Sequence, residues 1–153
     1  MVNSYINWGY TFSVEFTIKV TKLPYLTWTN VFHFTASGDN SNDGDRIPAL
    51  FIKNQNQIGY FQICNGIKNL AIYHEIYIGK EYRFIIKQFK QMEKVFYQII
   101  IDDESIHNEE NKNPQSFSKV KLYASDPWTS GFSEEFGNAC HFNIVGAHEK
   151  KFN

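Results

Sequence analysis

Residues 10–20 read YTFSVEFTIKV, and in that stretch Tyr10, Phe12, Val14, Phe16, Ile18 and Val20 alternate with Thr11, Ser13, Glu15, Thr17 and Lys19. A period of two is the side-chain period of an extended chain, so the pattern predicts a strand with one buried and one wet face. KLPY at 22–25 interrupts it. A second strand is expected over 28–36, with Trp28, Asn30, Phe32 and Phe34 on one face and Val31, His33 and Thr35 on the other. IPALFIK at 47–53 is apolar enough for a central strand buried on both faces. Pro48 then belongs at its start or at a bulge, because proline has no N–H to give to a ladder.

Further short strands are expected at 59–64, 70–76, 82–89, 95–101, 119–124 and 140–145, separated by turn-forming segments such as NQNQ, NGIKN and DDES. HNEENKNPQ at 107–115 reads as a solvated loop, and no segment reads as a helix. The 153 residues fit one domain over 1–153, with a core over 4–146 and a tail over 147–153. Aromatic residues make up 17% of the chain, which suits pleated, half-buried surfaces better than helices. The expected fold class is therefore all-β, an antiparallel β-sandwich or jelly roll.

Charge narrows the partners. With 15 basic and 16 acidic residues the net charge is −1, so no basic footprint for nucleic acid or an anionic membrane is present. No apolar run approaches the roughly 18 residues of a membrane span. The opening MVNSYINWGY lacks the basic-then-apolar order of a secretory signal, and no Asn-X-Ser/Thr sequon occurs. Cys64 and Cys140 form neither a zinc pattern nor a disulfide framework. They read either as two buried thiols or as one bridge.

Between the strands at 28–36 and 47–53 lies the loop GDNSNDGDR, in which Asp39, Ser41, Asp43 and Gly44 match the opening of an EF-hand loop. The twelfth position is Leu50 rather than a bidentate glutamate, and the flanks are strands, so an EF-hand is excluded. Two readings remain. In one, Asp39, Asp43 and Asp45 bind calcium, whose oxygen-rich shell such side chains supply. In the other, the loop is an Asx-rich turn whose side chains bond their own backbone, with Arg46 pairing locally.

A second loop, ASDPWTSGFSEEFGN, carries Asp126, Trp128, Glu134 and Glu135. A Trp beside carboxylates suits a sugar, whose C–H face stacks on the ring while the carboxylates accept hydroxyl hydrogens. The alternative is a turn at Asp126-Pro127 with Trp128 packed beneath the sandwich edge. His33, His74 and His141 fall in expected strands without metal-ligand spacing, so each reads as packed or hydrogen-bonded. In Glu134-Glu135 and Asp102-Asp103-Glu104, acids adjacent in sequence point to opposite faces of a strand, so neither doublet flanks one bond as a catalytic carboxylate pair must. With no nucleophile elbow or phosphate loop either, the chain is not read as an enzyme.

The phrases WTNVFHFTA at 28–36, GDRIPALFI at 44–52, the hairpin EYRFIIKQF…VFYQIIIDDESIH at 81–107, VKLYASDPW at 120–128 and the closing Gly137, Phe142 and Ile144 give the chain a resemblance to concanavalin A-like lectin and laminin-G-like jelly rolls of an invertebrate extracellular type. The hairpin is also similar to that of galectins, and FHF at 32–34 to their sugar-binding strand. The chain departs from galectins at Thr35, Ala36 and Ser37, where they carry Asn-x-Arg, and it has no Trp-Gly-x-Glu. What the resemblance implies is an extracellular, non-catalytic module that binds a glycan or an extracellular protein. Asp39, Asn40, Asp126 and Trp128 are the expected ligand-binding residues, and calcium at Asp39, Asp43 and Asp45 the expected cofactor. The second expectation is a self-associating structural or adhesive domain, a homo-oligomer whose aromatic residues, including Tyr60, Tyr73, Tyr77 and Tyr97, fill an interface.

Overall fold

A computed structural model describes residues 2–24, 28–39, 42–65 and 70–124. Ten strands run in these segments: β1 (Val2–Trp8), β2 (Phe12–Lys19), β3 (Trp28–Thr35), β4 (Ala49–Gln55), β5 (Ile58–Asn65), β6 (Leu70–Ile76), β7 (Glu81–Gln91), β8 (Lys94–Ile101), β9 (Glu104–Glu110) and β10 (Phe117–Ala124). They form two antiparallel sheets, one of six strands in the order β1-β10-β3-β4-β5-β6 and one of four in the order β2-β7-β8-β9. The chain is an all-β sandwich. The expected strand at 140–145 and the tail at 147–153 lie outside the described residues.

The alternation in 10–20 does what its period dictates. Val14, Phe16 and Ile18 of β2 are buried, and the same phase recurs across the four-stranded sheet in Tyr82, Phe84 and Ile86 of β7 and Tyr97, Ile99 and Ile101 of β8. Facing them from the larger sheet are Phe32, Phe34, Leu50, Ile52, Phe61, Ile63, Val120 and Leu122. Edge-on ring contacts join the sheets, Phe16 to Phe32 at 4.7 Å and Phe61 to Phe84 at 4.9 Å between centroids. Such pairs add about 0.5–1.5 kcal/mol each beyond the area they bury.

Pro48 stands immediately before β4, and β4 is central between β3 and β5, with Ala49, Leu50, Phe51 and Ile52 all buried. Three expectations are corrected. Val2–Trp8 is a strand where the sequence pattern predicts none. Glu104–Glu110, whose second half lies in the expected loop at 107–115, is the edge strand β9, joined to β8 by a tight turn at Asp102 and Asp103 with φ of 50° and 68°. Its acids face solvent on an outer edge, where charge protects against edge pairing. Finally, Trp28 and Asn30 do not share a face with Phe32 and Phe34. Asn30 pairs with Phe51 and Phe32 with Leu50, so one extra residue, Val31, bulges out of the ladder and inverts the phase.

Candidate binding site on the outer sheet face

The bulge in β3 decides what the outer face of the six-stranded sheet presents. It leaves Trp28 and Asn30 in register with Lys53 and Phe51, whose neighbours on β5 and β6 are Tyr60 and Gln62, then Glu75 and Tyr73. Phe51 is buried against Ala49 and Cys64, with Trp28 and Ala71 packed around them in a second, smaller apolar cluster behind the main core. Arg46, one residue before the Ile47-Pro48 step into β4, lays its guanidinium 5.1 Å over the Phe51 ring. Asp39 holds it by accepting from Arg46 Nε at 2.9 Å. Burial pushes the Arg46 guanidinium down, but the hydrogen bond and charge of Asp39 outweigh it and hold the group above its ordinary value, so the cation is secure.

Between these groups opens a cavity of about 250 Å³ lined by Trp28, Asp39, Arg46, Phe51 and Gln62. Its aromatic rings meet at right angles, Trp28 to Phe51 at 6.4 Å. Gln62 Nε2 donates to the Tyr73 hydroxyl at 3.2 Å, and Lys53 Nζ lies 5.1 Å from the Trp28 ring and 5.8 Å from that of Tyr73. Two apolar ring faces and three planar polar groups therefore converge on one small volume. Cys64 is a free thiol buried beneath it, pushed up to about 11 by its removal from water.

The loop that supplies Asp39 and Arg46 is built around Asp45, which is 2% exposed. Its Oδ1 accepts from Ser37 Oγ and from the Gly38 N–H at 2.9 Å, and its Oδ2 from the Asn42 N–H and Asn42 Nδ2, both at 3.2 Å. Its carbonyl accepts from Nε2 of fully buried His33, whose Nδ1 lies 3.8 Å from Asp39 Oδ1. Thr35 Oγ1 donates to the Gly38 carbonyl at 2.8 Å, and Gly44 turns the chain at φ 89° with the Phe117 ring directly behind it. Asp43 accepts from Gln115 Nε2 at 2.8 Å.

Asp39, Asp43 and Asp45 thus have separate partners: an arginine, a glutamine on the approach to β10, and the loop's own donors. Among the described residues no group of three or more His, Cys, Asp or Glu is placed to hold a metal ion. Of the expected ligand residues, Asp39 lines the cavity, whereas Asn40, Asp126 and Trp128 lie outside the described residues, as do Glu134, Glu135, Cys140 and His141. Trp28, Phe51, Gln62 and Lys53 were missed, because which strands lie side by side cannot be read from one strand's periodicity. Of the tyrosines expected at an interface, Tyr97 is instead buried in the core, while Tyr73 and Tyr77 are exposed. No protein-family model matches the chain, and no curated protein matches it.

Proposed function

We propose that the chain is a non-catalytic, lectin-like module of the concanavalin A-like jelly-roll type that binds a saccharide on the outer face of the six-stranded sheet, in an extracellular setting. The observation that carries this reading is the composition of the cavity, with Trp28 and Phe51 beside Asp39, Arg46 and Gln62. A pyranose has apolar C–H faces and an equatorial rim of hydroxyls. Aromatic walls match the first, and a guanidinium, a carboxylate and an amide match the second. The volume suits one sugar ring rather than a long buried chain. Calcium enters this reading only through the loop, where Asp39, Asp43 and Asp45 bond to Arg46, Gln115 and the loop's own donors.

A glycan array probed with wild-type protein, Trp28→Ala and Arg46→Ala, each in calcium and in chelator, tests it. Saccharide binding by wild type that both variants reduce at least tenfold, about 1.4 kcal/mol, is the expected result. An array on which wild type binds nothing, or on which the variants bind as wild type does, overturns it. A calcium requirement would return the loop aspartates to a metal site.

A second reading, self-association, has its own observation. Ile58, Tyr77 and Ile78 are 43%, 61% and 52% exposed at one end of the six-stranded sheet, where Ile58 follows the β5–β6 register to lie opposite Tyr77. Concentration-dependent sedimentation that Tyr77→Ser abolishes would favour it.

A further inference from the structure

The two cations beside the cavity are held differently. Arg46 is neutralised by Asp39 at 2.9 Å. Lys53 has aromatic rings for partners, its Nζ standing between Trp28 and Tyr73, and among the described residues no carboxylate lies within ion-pair distance of it. The nearest acid along its row is Glu75, two strands away through Tyr60, a backbone separation of about 9–10 Å. Cation–π contact with two rings fixes the ammonium beside the cavity at a partly covered position, where water screens charge less than on an open surface. Among the described residues, the aromatic platform thus carries one positive charge that no carboxylate pairs directly.

From this we infer that the saccharide taken by the face is acidic, its carboxylate or sulfate bound by Lys53 Nζ while its ring lies against the Trp28 side of the cavity; the inference rests on the carbohydrate reading above. An anion reaching Lys53 gains a charge-assisted hydrogen bond and keeps the ring contacts. A merely covering role would need the lysine's hydrocarbon stem alone. Methionine keeps that length of apolar chain without the charge, which separates the two roles.

The test compares matched probes by titration calorimetry at low ionic strength: hyaluronan oligosaccharides against their methyl esters for the carboxylate, and keratan sulfate oligosaccharides against desulfated keratan for the sulfate. At least one acidic form is expected to bind tenfold or more tighter than its neutral counterpart, with a preference that shrinks as salt is added. Lys53→Met should abolish the preference, bringing the acidic form's affinity down to that of its neutral counterpart measured on the same variant, and Lys53→Arg should keep it. Equal binding of acidic and neutral forms, or a preference that survives in Lys53→Met, overturns the inference and leaves the carbohydrate reading standing. No binding of any of the four probes, with none on the array, overturns both.

Discussion

Replacing Asp45 by alanine removes the acceptor around which the β3–β4 loop is wired. The lost bonds come from Ser37 Oγ, the Gly38 N–H, the Asn42 N–H and Asn42 Nδ2. A hydrogen bond to a charged acceptor is worth about 1.5–3 kcal/mol. The full sum does not apply, because Ser37 and Asn42 are exposed enough for water to take over part of their donation. Discounting for that leaves a loss of about 3–5 kcal/mol, a large fraction of the roughly 5–15 kcal/mol that holds a domain folded. For a chain of this size each kcal/mol moves Tm by about 2–4 °C, so Asp45→Ala should melt about 6–20 °C below wild type. Asp45→Asn keeps the shape and one acceptor oxygen but turns an NH₂ toward two donors, and should fall about halfway. Circular dichroism melts and urea titrations, with an unchanged m-value, measure both. An Asp45→Ala protein melting within about 2 °C of wild type would mean that the carboxylate does not hold the loop. A deficit present with calcium and absent with chelator would assign the carboxylate to an ion instead.

Three further outcomes follow from particular contacts. Gly44→Ala forces a Cβ to within 3.0 Å of the Phe117 ring at a φ of 89°, and should destabilise by about 2 kcal/mol in a urea titration; an unchanged midpoint would mean that the turn can relax. Burial, and then the charge of Lys80, hold His74 below its ordinary 6.5, so the unfolded chain binds the extra proton just under that value and acid destabilises the fold. His74→Gln should therefore lose less stability than wild type between about pH 7 and about pH 5, and equal losses would contradict this. In a Cys140→Ser background, Cys64, held up to about 11 by burial, should resist a thiol reagent until denaturant is added; rapid labelling of native protein would show that the face opens.

Much of this fold is legible in single strands. The alternation of Phe12 through Lys19, the apolar block at 49–52 and the turn at 102–103 each report a local constraint that one residue's neighbours satisfy. β9 was legible only in part, since an edge strand whose residues are mostly exposed carries acids where a buried strand carries hydrophobics. The face of Trp28 was not legible, because a bulge at Val31 depends on how β3 meets β4. In the loop, the pairing of Arg46 with Asp39 and the self-bonding of the Asx side chains were readable from proximity alone. The cavity was not. Trp28, Phe51 and Gln62 stand far apart in sequence and meet only through the register of three strands.

The central claim is that a saccharide sits on the outer face of the six-stranded sheet, against Trp28. Titrating the tightest array ligand into isotopically labelled protein and following amide and indole shifts by NMR tests it most directly. Saturable shifts are expected to concentrate on Trp28, Arg46, Phe51, Lys53, Gln62 and Tyr73, with the Trp28 indole among the largest. Saturable shifts confined to the sheet end at Ile58, Tyr77 and Ile78, or to the four-stranded sheet, would contradict it.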